Sequence, residues 1–204
     1  AAVDRGLAAA KKFYDRAAEK GKMSTQDADQ AYGKLTGATD LSALTDCDLI
    51  IEAIFEEFSV KEDLFKRLNA HLKPTTVVAT NTSALRVSEL AETVEDPTRF
   101  LGLHYFNPAA INPIVEVVKG EKTDDTLFQK CVTFITETAK KPIPCKDAYG
   151  FAINRFFVPY GNEAVRLLDE GVGTTAQIDR VAQDCLGVAA GPFLVMNLVK
   201  PKIM

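Results

Sequence analysis

The sequence predicts an α/β protein whose doubly wound, largely parallel sheet is followed by the beginning of an all-helical domain. Short apolar runs of strand length alternate with amphipathic helical segments up to about residue 150, and beyond it only helical patterns occur. Continuous apolar runs are typical of parallel strands, because helices cover both faces of such a sheet. We therefore expect an α/β domain over residues 1–149 and a helical domain over residues 150–204.

The N-terminal segment is predicted to form two helices. Small and apolar residues recur at steps of three and four along the first twenty positions, as they do on one face of a helix. They are Val3, Leu7, Ala10, Tyr14 and Ala17. This helix should end near Gly21. Ser24 and Asp27 resemble the capping pair of a second helix, which should reach Leu35.

Five strands and two further helices are expected in the rest of the α/β domain. Each strand is a short apolar run between polar residues. The five runs are residues 48–54, 76–80, 100–106, 114–119 and 142–146. Apolar residues at four-residue steps predict one helix over residues 57–73, before Pro74, and a second helix is expected over residues 124–141. Residues 81–83 should form a loop.

The helical domain is predicted to contain three helices, over residues 151–170, 175–186 and 192–199. At its other end, the chain opens inside a helix, whereas a doubly wound domain opens with a strand. No G-x-G-x-x-G turn for binding phosphate occurs. We therefore expect an internal piece of a larger enzyme. Alternatively, another chain or segment supplies the first β-α-β opening.

Composition argues against several classes of function. The chain has 204 residues and a formal net charge of −4, so it offers no basic surface for nucleic acid or an anionic membrane. No apolar run is long enough to span a membrane. The four cysteines are scattered without C-x-x-C spacing, so we expect neither a disulfide framework nor a metal site. A reducing, cytoplasmic compartment is favoured.

The strongest candidate for chemistry is a histidine paired with a glutamate. His104 is one of two histidines and lies near the end of a predicted strand, and Glu116 lies in the next strand, twelve positions later. Histidine titrates near neutral pH, and a neighbouring carboxylate can fix which of its nitrogens carries the proton. The alternatives are a packed histidine bonded to a backbone carbonyl and a glutamate on an exposed strand face.

Four motifs together resemble the 3-hydroxyacyl-CoA dehydrogenase family. They are Ile-Glu-Ala-Ile-Phe-Glu at residues 51–56 with Lys61, Ala-Thr-Asn-Thr-Ser at residues 79–83, Gly-Leu-His-Tyr-Phe-Asn-Pro at residues 102–108 leading to Val-Glu-Val at residues 115–117, and Gly-Phe-Ala-Ile-Asn-Arg at residues 150–155. Their order and spacing fit the family. The resemblance implies a Rossmann-like, NAD-binding domain that lacks its first β-α-β opening, and a helical domain for dimerisation and substrate binding.

The resemblance implies catalytic roles for four residues. His104 would accept the hydroxyl proton while hydride leaves to NAD, and Glu116 would orient this histidine. Asn154 would hydrogen-bond the substrate carbonyl or the histidine. Ser83 would contact the substrate hydroxyl and the nicotinamide side. Without the resemblance, an asparagine at a helix start and a serine in a polar loop need no catalytic role.

The resemblance also implies contacts to NAD and to CoA. Glu56 and Lys61 would touch the ribose and nicotinamide region, Asn81 would lie near the nicotinamide ribose, and Asn107 would hold the carboxamide. Lys12, in a basic stripe of the first helix, would meet the phosphates of CoA. The alternative for Glu56 and Lys61 is a charged pair near a helix start, and that for Asn81 is a set of side-chain hydrogen bonds within a loop. The alternative for Asn107 is formation of the turn after His-Tyr-Phe, and that for Lys12 is a solvated helix face.

The activity that the resemblance implies is the NAD-dependent interconversion of (S)-3-hydroxyacyl-CoA and 3-oxoacyl-CoA, in fatty-acid β-oxidation or butanoyl-CoA metabolism. The implied partners are an acyl-CoA substrate and a second copy of the chain, in a homodimer formed through the helical domain. Three alternatives remain open. They are a dehydrogenase module of a multifunctional β-oxidation protein, a structural protein of the lambda-crystallin kind, and a β-hydroxyacid-type dehydrogenase, which typically uses a lysine.

Overall fold

The computed structural model describes residues 2–199 of the chain. In this range the helices and strands follow one another in the order α1 (Ala2–Glu19), α2 (Thr25–Tyr32), β1 (Leu49–Glu52), α3 (Phe58–Leu68), β2 (Val77–Thr80), α4 (Val87–Ala91), β3 (Phe100–Tyr105), β4 (Ile114–Lys119), α5 (Asp125–Glu137), β5 (Lys141–Lys146), α6 (Asn154–Asp169), α7 (Thr175–Leu186) and α8 (Pro192–Val199). Short 3-10 helices lie at Leu41–Leu44, Asn69–His71 and Pro97–Arg99.

The chain divides into two compact units. One consists of the chain up to Asp48 together with Arg67–Thr76, and within it α1 packs against α2. The other consists of Leu49–Lys66 together with the chain from Val77 onward, and it holds the whole sheet and α4 to α8. The domain boundary predicted between residues 149 and 150 falls in the segment that joins β5 to α6, and it stays a prediction.

The five strands form one sheet in the order β1-β2-β3-β4-β5. Every neighbouring pair is parallel except β3 and β4, which are antiparallel. Parallel neighbours need a crossover of about a dozen residues or more, and residues 106–113 between β3 and β4 are too few for one. The predicted α/β fold with a largely parallel sheet is confirmed, with this one reversal.

Both faces of the sheet are covered by helices. One face packs against α5 in a cluster made of Ala79, Leu101, Leu103, Val115, Val117, Leu127, Phe128, Cys131 and Ile135. On the other face, the rings of Phe100 and Phe65 of α3 meet edge-on, 5.2 Å between centroids. A Cβ atom on Gly102 would lie 2.8 Å from Cβ of Val118 and 3.0 Å from Cγ2 of Val87 in α4. Glycine at this position therefore allows α4 to pack closely on the sheet.

Most helix ends differ from the prediction by a few residues. The hydroxyl oxygen of Ser24 accepts a hydrogen bond from the amide of Asp27 at 3.0 Å, so the predicted cap of α2 is confirmed. The helix predicted over residues 57–73 is α-helical as far as Leu68 and then continues as a 3-10 turn. The five-residue helix α4 was not predicted, because so few residues show no helical period.

The start of α6 differs for a conformational reason. A helix was predicted from residue 151, but the structure begins it at Asn154. Gly150 and Phe151 have φ angles of 72° and 48°, in the left-handed region, so the right-handed helix cannot include them. Both residues belong instead to the turn that leads from β5 into α6.

Within residues 2–199, no helix combines the length and the apolarity that crossing a membrane requires. The same residues contain no group of three or more His, Cys, Asp or Glu side chains that could hold a metal ion. All four cysteines are free thiols.

Candidate active site

A histidine and a glutamate meet across the antiparallel strands β3 and β4. The register of β3 and β4 places His104 directly opposite Glu116, so their side chains share one face of the sheet. Both residues are buried, with exposures of 4% and 0%. Nδ1 of His104 lies 2.8 Å from Oε2 of Glu116, which is hydrogen-bonding distance.

The second oxygen of Glu116 is bonded to the turn that precedes α6. Its Oε1 accepts hydrogen bonds from the amides of Ala152 at 2.9 Å and Ile153 at 2.7 Å. Phe151, just before them, is left-handed and so turns the chain toward the glutamate. That conformation costs a residue other than glycine about 1–2 kcal/mol. Burial of the phenylalanine side chain offsets this cost.

The charge of Glu116 determines which nitrogen of His104 is basic. Burial by itself would raise the pKa of Glu116, but hydrogen bonds from His104 and from the amides of Ile153 and Ala152 lower this pKa below its usual value. An ionised carboxylate only accepts hydrogen bonds, so Nδ1 of the histidine carries a proton. In the neutral ring Nε2 is then the basic atom, and it has no hydrogen-bond partner among residues 2–199.

Two aromatic rings flank the imidazole and restrict its rotation. The ring centroids of Phe106 and Phe151 lie 4.3 Å and 5.9 Å from that of His104. The histidine therefore presents one basic nitrogen in a fixed orientation, with a carboxylate behind it. This arrangement is suited to general acid–base catalysis.

Asn154 connects the first turn of α6 to the loop after β2. Its Nδ2 donates a hydrogen bond to the backbone oxygen of Ser83 at 3.1 Å. A carboxamide has two N–H groups, so one of them remains for another acceptor. The hydroxyl of Ser83 makes no hydrogen bond within the described part of the chain. Both residues therefore keep one polar group for a ligand.

Glu56, in the connection between β1 and α3, holds the same loop. Its Oε1 accepts hydrogen bonds from the hydroxyl of Thr82 and the amide of Ser83, both at 2.6 Å, and from the amide of Ala84 at 3.0 Å. Burial alone would raise the pKa of Glu56, but these bonds and the charge of Lys61 lower that pKa. The side chain is 33% exposed. An ionised acceptor is thus available to a ligand.

Lys61 lies in the interior beneath Glu56. Its side chain is 1% exposed, and its Nζ is 2.6 Å from Oε1 of Glu52 and 3.3 Å from Oε2 of Glu56. Sequence reasoning singled out Glu56 and Lys61 but missed Glu52, which ends β1 and is buried. A carboxylate in an otherwise apolar strand was the available signal, because a glutamate is rarely buried unless it is paired.

The remaining predicted residues have different surroundings. Asn81, directly after β2, is bonded to the strands on either side. Its backbone amide donates a hydrogen bond to the backbone oxygen of Glu52 in β1, and its side-chain Oδ1 accepts one from the backbone amide of Tyr105 in β3, both at 2.8 Å. Its side-chain N–H groups have no partner in residues 2–199. Asn107 is exposed in the turn after β3 and makes no hydrogen bond to another described residue. Lys12 is exposed on α1, in the first unit.

Comparison with known proteins gives a consistent family description. The model of the 3-hydroxyacyl-CoA dehydrogenase NAD binding domain matches residues 1–148, and that of the 3-hydroxyacyl-CoA dehydrogenase C-terminal domain matches residues 150–204. A probable 3-hydroxybutyryl-CoA dehydrogenase of Deinococcus radiodurans is 35% identical over 97% of this chain and 70% of its own length. The mitochondrial hydroxyacyl-coenzyme A dehydrogenase of Sus scrofa is 37% identical over 94% of this chain and 60% of its own length.

Among solved structures, FadB2 of M. tuberculosis superimposes with a TM-score of 0.92 at 34% identity. The match covers 97% of this chain and 70% of that one. This chain thus spans 60% to 70% of the length of the three relatives described.

Proposed function

The chain belongs to the 3-hydroxyacyl-CoA dehydrogenase family, with NAD as cofactor, and on that premise we propose that it interconverts an (S)-3-hydroxyacyl-CoA and the corresponding 3-oxoacyl-CoA. The observation that carries the proposal is the His104–Glu116 contact of 2.8 Å, which leaves Nε2 of the histidine without a partner among residues 2–199. We further propose that the reaction belongs to fatty-acid β-oxidation or butanoyl-CoA metabolism.

Two residues in the connections that follow β1 and β2 support binding of the nicotinamide half of NAD. Glu56 offers an ionised, partly exposed carboxylate that can accept hydrogen bonds from ribose hydroxyls. Asn81 has unpartnered N–H groups within the described residues, and parallel α/β sheets bind ligands beside the carboxyl ends of their strands. When bound there, NAD supplies the acceptor for the hydride.

In the direction of oxidation, Nε2 of His104 accepts the proton of the 3-hydroxyl group. The ring then becomes an imidazolium, and the ionised carboxylate of Glu116, 2.8 Å from Nδ1, stabilises its positive charge. In the direction of reduction the same nitrogen returns the proton. General acid–base catalysis of this kind contributes about 10²–10⁴-fold to a rate.

Ser83 and Asn154 are proposed to orient the substrate oxygen. The unpartnered hydroxyl of Ser83 can donate a hydrogen bond to the 3-oxygen of the substrate, and the second N–H group of Asn154 can donate to the same oxygen when it is a carbonyl. The bond from Asn154 to the backbone of Ser83 fixes their relative position. Two placed donors polarise the carbonyl and favour the charge that develops on its oxygen.

The remaining contacts are proposed from the family pattern. Asn107 is proposed to bind the nicotinamide carboxamide and Lys12 the phosphates of CoA. Because the ammonium group of Lys61 is buried between two carboxylates, we propose that it acts on NAD through Glu56.

The helical segment is proposed to begin at residue 150 and to form a homodimer. Several large apolar side chains of α6 to α8 and of the connection between α6 and α7 are exposed, and this supports an interface between copies. They include Phe156, Val172, Val181, Leu186 and Leu198. The free thiols support a proposed cytoplasmic location.

The test of the proposed function is the reduction of acetoacetyl-CoA by NADH in the full-length protein. We expect His104→Ala to lower kcat by about 10²-fold or more, with little change in the Kd for NADH measured by fluorescence. His71→Ala is the matched control, because the other histidine belongs to the 3-10 turn after α3. Turnover of His104→Ala equal to that of the control would refute the assignment.

A further inference from the structure

Glu52 forms the centre of a buried polar cluster, and the proposed mechanism gives this residue no role. The residue is 4% exposed and ends β1. Its Oε1 accepts hydrogen bonds from Nζ of Lys61 and from the amide of Ile54, each at 2.6 Å, and its Oε2 accepts from the hydroxyl of Thr80 at 2.7 Å. A buried carboxylate is costly unless it is paired and bonded in this way.

Two short routes lead from Glu52 to the loop that carries Ser83. Along one route, Lys61 lies between Glu52 and Glu56, and Glu56 accepts the amide of Ser83. Along the other route, the hydroxyl group of Thr80 donates to Glu52, and its oxygen accepts a hydrogen bond from the backbone amide of residue 82, at 3.2 Å. Both routes end at the loop that the proposed function assigns to the substrate and the nicotinamide.

The balance of charge shows why Glu52 matters to this loop. Two carboxylates share one ammonium group, and the buried one lies closer to Lys61, at 2.6 Å against 3.3 Å for Glu56. Glu56 can therefore direct its other oxygen to three donors of residues 82–84. Without the charge of Glu52, the ammonium group would pair with Glu56 alone and would draw it away from the loop.

We propose that Glu52 is a positioning residue for hydride transfer, which acts through Lys61 to set the place of Glu56 and of the Ser83 loop. It touches neither substrate nor cofactor. The inference rests on the proposed function for its kinetic consequence, whereas its structural consequence can be observed without any reaction.

The experiment compares Glu52→Gln with the control Thr123→Val in the full-length protein. Gln keeps the size of the side chain and removes its charge. Thr123 is also buried, and its hydroxyl bonds Phe100 and Gly120 at the other end of β3 and β4, so its loss destabilises the protein without touching the loop. We expect Glu52→Gln to weaken NADH binding by about tenfold or more in calorimetry, because Glu56 loses its position.

Three further readouts separate positioning from general stability. We expect kcat to fall as well in Glu52→Gln, while Thr123→Val keeps the wild-type Kd and kcat at a lowered Tm. A crystal structure of Glu52→Gln without cofactor should show Glu56 displaced from the amide of Ser83. Wild-type NADH affinity together with an unmoved Glu56 would overturn the proposal.

Two other outcomes also test the proposal: a variant that fails to fold and a wild-type protein without activity. If Glu52→Gln does not fold, Glu52→Asp keeps the charge but withdraws it by one methylene group. We then expect a smaller loss of NADH affinity, and wild-type affinity would count against positioning. If the wild-type protein does not reduce acetoacetyl-CoA, the proposed function fails, and the position of Glu56 in the variant crystal still decides the structural inference.

Discussion

Replacing Glu116 with Gln is the sharpest test of how the carboxylate controls the histidine. In the wild type, one oxygen accepts the Nδ1 proton of His104 and the other accepts the amides of Ala152 and Ile153. A carboxamide has a single oxygen, so it can satisfy only one of these sides. The other side then faces an NH2 group.

The two orientations of the new carboxamide differ in energy because they leave different numbers of hydrogen-bond donors without an acceptor. With its NH2 group toward Ala152 and Ile153, two part-buried amides lose their acceptor, which costs up to about 3 kcal/mol each. The oxygen should therefore stay with the amides, and the NH2 group should donate to Nδ1 of His104. The imidazole must then carry its proton on Nε2, where it cannot act as a base.

We expect the Glu116→Gln variant to fold normally and to oxidise a short-chain 3-hydroxyacyl-CoA about 10²–10⁴-fold more slowly than the wild type. The assay is the appearance of NADH in the full-length protein, and nitrogen NMR of the imidazole reports the tautomer. Combining Glu116→Gln with His104→Ala should not slow the reaction beyond His104→Ala alone. Wild-type turnover, or slow turnover with the proton still on Nδ1, would show that the reasoning is wrong.

Two further predictions concern stability. The pKa of Glu116 and that of Glu56 are lowered in the folded state, so the stability they contribute is complete above the usual carboxyl pKa of about 4.3 and is lost as the pH falls through the lowered values. The free energy of unfolding measured with urea should fall steeply below that pH in the wild type and less steeply in Glu116→Gln. Equal slopes in the two proteins would contradict this. Gly102→Ala should cost about 1–3 kcal/mol in urea unfolding, because the new Cβ would lie 2.8 Å from Cβ of Val118. Gly6→Ala, with no atom within 4 Å of the added Cβ, is its control, and an equal effect in both would refute the packing argument.

Much of the fold could be predicted from local patterns. Apolar runs marked the inner strands β2, β3 and β4, because strands covered on both faces are largely apolar. The edge strands β1 and β5 were predicted as well, although each has exposed residues. The start of α6 could not be predicted, because the left-handed Phe151 precedes amides that bond to a glutamate on β4, far away in the chain. The reversal between β3 and β4 was also missed, although the short connection contained the information.

The candidate site, like the fold, could be predicted from the sequence only in part. His104 and Glu116 were found from residue type and from their place on adjacent predicted strands, and Ser83 and Asn154 from the family pattern. Glu52 was missed, and Lys61 was expected to touch the cofactor because of the family pattern. From the sequence alone, Lys61 and Glu56 are an ordinary charged pair near a helix start. The burial of Lys61, at 1% exposure, depends on how α3 places it against Glu52 of β1.

By itself, the sequence determined which segments form strands and helices and which side chains could exchange a proton, because periodicity and residue chemistry are local properties. Only the tertiary structure decided which atoms face one another. The antiparallel register places Glu116 opposite His104, and the turn before α6 fixes the glutamate's second oxygen. A proton's place on the imidazole depends on such partners, and hydrogen bonds between residues twelve and thirty-six positions apart leave no periodic trace in the sequence.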